Sequence, residues 1–197
     1  PSSTLGYERL VNPALRFDDE ADFVAWILAD QPEPPAYFAH MKRINRDGPQ
    51  ILGHLPDPGR LGPDRLRALV DEGVQVVDLR SREAFGRGHV PGTLNIPLNR
   101  SFTNWAGSLL DYERDAVLLG VDGDPAREAA RDLALIGFDR VSGYVGPEVV
   151  DEDEARWELE SAPTVTPHRA RELEEQGALL VDVRGAGEWN SGHATGA

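Results

Sequence analysis

The sequence predicts an α/β fold in which helices flank a central, largely parallel sheet. Between residues 61 and 150, short apolar segments that suit buried strands alternate with segments of helical periodicity. This alternation is typical of parallel strands joined by helical crossovers. A second observation is an internal repeat, because residues 61–93 are matched without a gap by residues 165–197. A repeat of this length is domain-sized, so we expect two related domains with the second represented by its first part.

The elements of the first repeat follow from turn and cap residues. Pro63 is typical of a first helical position and Gly73 of a helix end, so a helix is expected between them. Strands are then expected at 74–79 and 93–97, followed by a helix at 101–111 with Trp105, Leu109 and Leu110 facing inward. A strand at 116–119 leads to a helix that is capped by Asp124, has Pro125 in its first position and ends at Gly137. The last expected strand is 140–145. Ligands of such sheets bind where strands end, so residues 120–125 are the expected functional loop.

Residues 1–57 differ in character from the repeat. Asp18, Asp19 and Glu20 place acidic residues at a helix start, and Phe23, Trp26 and Ile27 share one face of that helix. A second short helix is expected at 36–45, followed by a turn-rich linker at 54–60. Two short helices cannot bury a core by themselves, so we expect this segment to belong to a domain whose bulk lies before residue 1.

Composition excludes several classes of function. The 197 residues carry a formal net charge of −14, which disfavours phosphate backbones and anionic lipid as partners. No apolar run reaches the length of a membrane span and no signal sequence is visible, so a cytoplasmic protein is expected. The chain contains no cysteine, which removes disulfides, thiolate metal sites and cysteine nucleophiles. Its five histidines form no local metal-binding pattern, so no metal site is expected within the chain.

A motif common to both repeats identifies a family. A strand ending in Asp-x-Arg is followed by an acidic-aromatic turn and a Gly-His-x-x-Gly stretch, and this pattern resembles the rhodanese family of sulfurtransferases. The motif residues are Asp78, Arg80, Gly88, His89, Pro91 and Gly92 in the first repeat, and Asp182, Arg184, Gly192 and His193 in the second. We expect structural roles for them: an Asp–Arg pair near the strand end, glycines in tight turns, and a histidine that fixes a loop.

The family's catalytic loop departs from its usual pattern in this chain. The resemblance implies a loop that begins with a catalytic cysteine and holds a cysteine persulfide with its backbone N–H groups. Here Gly120 occupies the nucleophile position, followed by Val121, Asp122, Gly123, Asp124 and Pro125, with Pro125 at the family's arginine position. A glycine cannot carry sulfur, and two carboxylates repel an anionic sulfur donor. We therefore expect no catalytic residue and an inactive, degenerate rhodanese domain.

The N-terminal 50 residues resemble a different family. Three segments, 3–9, 12–15 and 22–24, are similar to the C-terminal tail of metallo-β-lactamase-fold persulfide dioxygenases and their glyoxalase-II-like relatives. Residues 34–45 are similar to bacterial members that carry fused rhodanese domains. The resemblance implies a sulfide-detoxification enzyme in which a mononuclear iron dioxygenase oxidises a low-molecular-weight persulfide.

Together these resemblances predict a domain organisation. We expect a lactamase-fold tail and linker at 1–57, a cysteine-less rhodanese at 58–150, an acidic linker at 151–162, and the start of a second rhodanese at 163–197. The predicted function is a structural or docking module within a multidomain sulfur-metabolism enzyme. Two alternatives stay open: a thioester-hydrolysing lactamase-fold enzyme with accessory rhodaneses, and a non-enzymatic protein-interaction module.

The partners and cofactors follow from the same resemblance. It implies neighbouring domains of the same polypeptide and persulfide-carrying small thiols as partners, without nucleic acid or membrane, and leaves a homo-oligomer open. It implies no cofactor in this chain and a metal ion, iron or zinc, in the lactamase-fold domain.

Overall fold

The computed structural model describes residues 2–29, 31, 34, 35, 37–151 and 158–197. The chain divides into two compact units, Pro35–Arg169 and a smaller unit that combines Pro1–Pro34 with Ala170–Ala197. The helices, in chain order, are α1 (Leu5–Val11), α2 (Glu20–Leu28), α3 (Tyr37–Asp47), α4 (Pro63–Asp71), α5 (Arg82–Arg87), α6 (Phe102–Leu109), α7 (Gly123–Leu135), α8 (Pro167–Glu175) and α9 (Ala186–Ser191), with short 3₁₀ helices at Pro13–Leu15 and Pro147–Val150. No helix within these described ranges combines the length and the apolar character needed to cross a bilayer.

A four-stranded parallel sheet forms the centre of the larger unit. Its strands are β1 (Gln75–Asp78), β2 (Leu94–Asn95), β3 (Ala116–Leu119) and β4 (Val141–Val145), in the spatial order β2-β1-β3-β4. Strands β1 and β3 pair in register over four residues, and every residue of both is buried. The predicted α/β fold with helices flanking a parallel sheet is therefore confirmed. The strand expected at 93–97 is shorter than predicted.

The alternation of side chains along the central strands divides the core into two layers. On β3, Leu118 faces the side that carries Phe102 of α6 and Leu133 of α7. The neighbouring residues Val117 and Leu119 face the opposite side. Successive side chains of a strand point to opposite faces, so a fully apolar strand is stable only when helices cover both faces.

Helix α6 presents a different face to the core from the one expected. Trp105 and Leu109, predicted to face inward, are 59% and 50% exposed. Phe102 and Ala106 of the helix are buried instead, and Leu110, just after the helix, is buried as expected. These three residues are spaced four apart and form one stripe. The prediction for Trp105 and Leu109 was wrong because the fully buried Phe102, at the start of the helix, sets the stripe.

Helix α3 lies in the larger unit, although the sequence grouped it with the N-terminal tail. Its Tyr37 ring fills the space above Gly107, where a built Cβ would come within 2.5 Å of ring atom Cδ1. Its Ile44 side chain approaches Gly137 equally closely. The ring of His40 on the same helix packs against Tyr112 in a tilted arrangement, with 4.3 Å between the ring centroids. Because these two glycines have no side chain, α3 can pack closely on the rest of the larger unit at both positions.

The smaller unit contains short helices without a buried core. Helix α2 is capped by the Asp19 carboxylate, which accepts hydrogen bonds from the amides of Ala21 and Asp22. None of the residues in α1 or α2 is buried. In the second repeat, the segment that corresponds to β1 is not hydrogen-bonded into a sheet within the described chain, and its Leu179 and Val183 side chains are almost fully exposed. A strand of this kind needs a neighbouring strand to become ordered.

The close contact between Gly107 and the Tyr37 ring gives a testable prediction. We expect Gly107→Ala to lower the free energy of unfolding by about 1–3 kcal/mol, because the added methyl group overlaps the Tyr37 ring. In a Tyr37→Ala background the same change should stabilise the protein by up to about 1 kcal/mol, since alanine is the better helix former. Urea denaturation of the four members of this cycle measures the coupling. Strict additivity of the two substitutions would show that α3 is not seated on α6.

Candidate functional site

The candidate site lies where β3 ends and α7 begins. Gly120 follows β3 directly, with a φ of +84° in the left-handed region that favours glycine. Its amide donates a 3.0 Å hydrogen bond to the carbonyl oxygen of Val145 at the end of β4. Asp78 ends the adjacent strand β1, paired in register with Leu119. The functional loop expected from sequence therefore sits at the carboxyl ends of the parallel strands.

The space beside Gly120 is filled by the Arg80 side chain. A Cβ built at Gly120 would lie 2.6 Å from Cγ, 2.9 Å from Cδ and 3.1 Å from Nε of Arg80. Cβ contacts shorter than 3.0 Å, as to Cγ and Cδ here, essentially never occur, so a side chain at position 120 requires Arg80 to move. The position predicted for a nucleophile is thus both without a side chain and closed to one.

Arg80 is fixed in this position by three partners. Its Nε and Nη2 donate to the two carboxylate oxygens of Asp78 at 3.0 and 2.6 Å, and Nη2 also donates to the carbonyl oxygen of Gly88 at 2.9 Å. The Asp78 side chain is fully buried. A buried carboxylate that loses its partner is strongly destabilising, so the protein keeps Arg80 on Asp78 and therefore over Gly120.

Helix α7 starts earlier than the sequence suggested. Its first residue is Gly123 and its N-cap is Asp122, so the prediction that Asp124 caps the helix was wrong. Asp124 lies in the first turn instead and forms an ion pair with Arg127. An acidic residue in the first turn is still favoured by the helix dipole, which explains why the sequence pattern resembled a cap. Arg127 also lies 3.7 Å from the Asp57 carboxylate.

The loop after α5 is held by His89. Its Nδ1 lies 3.0 Å from the carbonyl oxygen of Phe85, and its ring stacks on the Phe85 ring at 3.8 Å. Further along, the Thr93 hydroxyl donates to the carbonyl oxygen of Val90 across Pro91 and Gly92, and Gly92 has a φ of +77°. These contacts involve His89 and Gly92 in the loop between α5 and β2.

The second repeat forms the same motif without a sheet. Arg184 donates to Asp182 at 2.6 Å and to the carbonyl oxygen of Gly192 at 2.9 Å, the same distances as in the first repeat. His193 likewise lies 3.0 Å from the carbonyl oxygen of Trp189 and stacks on its ring. The motif is therefore encoded by its own short stretch of sequence rather than by packing on a sheet.

Two features of the site escaped sequence reasoning. The Arg80 side chain over Gly120 depends on a contact across 40 positions of sequence, for which no local signal exists. The Asp124–Arg127 pair has the i, i+3 spacing typical of helix ion pairs, and this signal was available in the sequence. Among the residues that the structure describes, no group of three histidine or acidic side chains is arranged to hold a metal ion.

Comparisons with known proteins identify the family of this domain. The family profile for the rhodanese-like domain matches residues 62–146. A thiosulfate sulfurtransferase, GlpE, from Pseudomonas aeruginosa is 30% identical over 87 residues, which cover 44% of this chain and 77% of that protein. The chain belongs to the rhodanese-like family.

Two further relatives extend the comparison. The uncharacterized protein YibN from Escherichia coli is 33% identical to this rhodanese-like chain over 104 residues, covering 52% of the chain and 68% of YibN. The crystal structure of a metallo-beta-lactamase from Staphylococcus aureus is 37% identical with a TM-score of 0.63. That match covers 75% of this chain but spans only 41% of the lactamase chain. The rhodanese-like prediction is thus confirmed, and a metallo-beta-lactamase neighbour exists.

The exposed motif of the second rhodanese-like repeat allows a pH prediction. Hydrogen bonds from Arg184 lower the pKa of the Asp182 carboxyl to about 2, against about 3.9 in an unfolded chain. A lowered folded-state pKa means that the pair stabilises the loop above about pH 4 and that this contribution is lost as the pH falls towards 2.

An NMR titration of the Asp182 carboxyl measures this. We expect Arg184→Gln to move the Asp182 pKa upward to the ordinary range. Arg171→Gln, which removes a cation paired with Glu175 instead, is the matched control and should leave the titration unchanged. An Asp182 pKa that is the same with and without Arg184 would contradict the pairing.

Proposed function

We propose that the rhodanese-like domain of this chain is catalytically inactive and serves as a structural module of a multidomain sulfur-metabolism enzyme of the persulfide dioxygenase type. The observation that carries the proposal is the closed nucleophile position: Gly120 offers no side chain, and Arg80 fills the space one would need. The GlpE relative carries the name of a thiosulfate sulfurtransferase. This chain shares that protein's family but not the group that its chemistry requires.

The chemical argument concerns where the transferred sulfur would be held. Covalent sulfur transfer needs a nucleophile that attacks the donor and keeps the sulfur until an acceptor removes it. The loop after β3 offers Val121, two aspartates, a glycine and Pro125, and the whole chain has no cysteine. None of these side chains forms a stable bond to sulfane sulfur. The domain therefore lacks the intermediate on which sulfurtransferase turnover depends.

The electrostatic argument points the same way. The start of α7 provides backbone N–H groups and a positive dipole end, which would attract an anion such as thiosulfate. Asp122 is the N-cap and Asp124 lies in the first turn, so two carboxylates stand in that field. The one nearby cation on the helix, Arg127, is already paired with Asp124. Anionic sulfur donors are therefore repelled from the loop rather than collected by it.

The multidomain part of the proposal rests on the N-terminal helices and on the lactamase neighbour. Helices α1 and α2 expose large apolar side chains, including Leu10, Trp26, Ile27 and Leu28. Apolar side chains exposed in this number favour a surface that another domain covers. We propose a metallo-β-lactamase-fold domain of the same polypeptide as that cover, because a metallo-beta-lactamase chain aligns with 75% of this sequence at 37% identity. That domain would hold the metal, iron or zinc.

Sulfur transfer provides the direct test of inactivity. We expect this chain to form no thiocyanate from thiosulfate and cyanide above the protein-free blank. Gly120→Cys should remain inactive, because φ is +84° there, Arg80 occupies the thiol position, and two carboxylates raise the thiol pKa. Urea denaturation should show that this variant is also less stable than the parent chain. Gly59→Ala, at an open position without a left-handed φ, is the control for stability.

Rates typical of an intact sulfurtransferase in Gly120→Cys would show that only the cysteine has been lost. Thiocyanate production by the parent chain would overturn the proposal itself.

The covered face can be tested by fluorescence quenching. In a chain whose only tryptophan is Trp26, iodide should quench the emission strongly, since this side chain is 40% exposed. Fusing the lactamase-fold domain to the N-terminus should reduce the quenching constant severalfold. A matched chain with Trp105 as its only tryptophan, on α6 of the other unit, should be quenched equally with and without the fusion. Equal quenching of Trp26 in both proteins would show that the lactamase fold does not cover this face.

A further inference from the structure

Residues 158–162 lie as an extended segment against the motif loop of the rhodanese-like domain. The amide of His89 donates to the carbonyl oxygen of Glu160, and the amide of Glu160 donates back to His89, both at 2.9 Å. A third bond runs from the amide of Ala162 to the carbonyl oxygen of Gly86, also at 2.9 Å. This is an antiparallel bridge made outside the main sheet. The sequence had assigned these residues to an acidic linker, whose residues 152–157 lie outside the described residues.

Side chains reinforce the backbone bridge. Leu159 packs against the apolar cluster that contains Leu66, Val90 and Val149. The Glu160 carboxylate lies 3.9 Å from Nε2 of His89, whose ring is itself buried against Phe85. Val149 and Val150, just before the acidic segment, are buried in the same cluster as Leu159. The chain therefore leaves the apolar cluster after Val150 and returns to it at Leu159.

The glycines of the motif loop explain why the segment can approach so closely. A Cβ at Gly86 would lie 2.8 Å from the carbonyl oxygen of Ala162, and one at Gly88 would lie 3.3 Å from Cδ1 of Leu159. Neither glycine has a φ in the left-handed region, so backbone conformation alone does not require glycine here. In the second repeat the position of Gly86 is taken by Asn190. The first repeat thus has the smaller residue, Gly86, at the position where the carbonyl oxygen of Ala162 approaches closely.

We propose that the backbone edge Gly86–His89 is a peptide-binding site whose occupant is the chain's own segment Glu158–Ala162, which acts as a strap. The strap would make the rhodanese-like domain end at Ala162 instead of Val150, and it would fix the point from which the chain continues towards the second repeat. This inference rests on the proposed function as a structural module and names how that module sets the path of the chain. Backbone hydrogen bonds hold the strap, and the Leu159 side chain selects its register, as in other cases of strand addition.

Amide hydrogen exchange on the full 197-residue chain tests the strap. In the parent chain the amides of His89, Glu160 and Ala162 should be protected relative to an unstructured peptide. Gly86→Ala should reduce the protection of Glu160 and Ala162 roughly tenfold or more, the equivalent of losing about one net hydrogen bond. Gly187→Ala, in open space on α9 with an ordinary φ, is the matched control and should change none of these amides.

A second variant covers the case in which Gly86→Ala disturbs α5 itself. Glu160→Pro removes one bridge donor from the strap and leaves the domain's own residues unchanged. The amide of Leu118 in the central strand reports in both variants that the domain is folded, and we expect its protection to stay at the parent level. Loss of protection at His89 and Ala162 with Leu118 unchanged would support the strap.

The contradicting outcomes are separate from those of the sulfur-transfer assay. Amides of Glu160 and Ala162 that exchange in the parent chain as fast as in a free peptide would overturn the strap. Full protection of the Ala162 amide in both folded variants would overturn it as well, because the bridge would then not be what holds the segment. Neither outcome depends on thiocyanate formation, so failure of the strap and failure of the proposed inactivity are distinguished.

Discussion

The ion pair between Asp78 and Arg80 is the interaction on which the site depends. A fully buried carboxylate is tolerated only when its charge and its lone pairs are satisfied, and Arg80 does both at once. The same guanidinium holds the carbonyl oxygen of Gly88, which fixes the start of the motif loop. Its aliphatic stem then lies over Gly120. One pair of side chains thus joins the end of β1, the motif loop and the loop after β3.

A comparison of the two repeats shows which features of the motif depend on the sheet and which do not. Asp182 and Arg184 reproduce the hydrogen bonds of Asp78 and Arg80, although the second repeat lacks a sheet among the described residues. The difference is burial, since Arg184 is 43% exposed against 15% for Arg80. The motif geometry is therefore a local property of Asp-x-Arg followed by a glycine turn, whereas the closed position at Gly120 arises only when β3 supplies its neighbouring strand.

The sequence predicted those features that depend on neighbouring residues. Pro63 begins α4 and Gly73 follows it in a left-handed conformation, as expected, and the apolar segments around Val77 and Val117 form the central strands. Apart from the N-cap of α7, the misses concern contacts between distant residues. Which face of α6 is buried depends on how Phe102 enters the core, and the packing of α3 depends on glycines far along the chain. Local periodicity carries no record of such contacts, so these features needed the three-dimensional structure.

Several glycines of the domain lie in close contact with the segments that flank it. Gly107 and Gly137 accommodate side chains of α3, Gly143 lies against the backbone of Gly59 in the segment that enters the domain, and Gly86 lies against Ala162 in the segment that leaves it. At each of these positions a methyl group would collide with a part of the chain that flanks the domain. At the end of β3, by contrast, the close contact of Gly120 is with Arg80 of the domain itself. A domain that fits its own flanking segments this closely fixes where the chain enters and leaves it, and this is the property that the proposed role as a structural module requires.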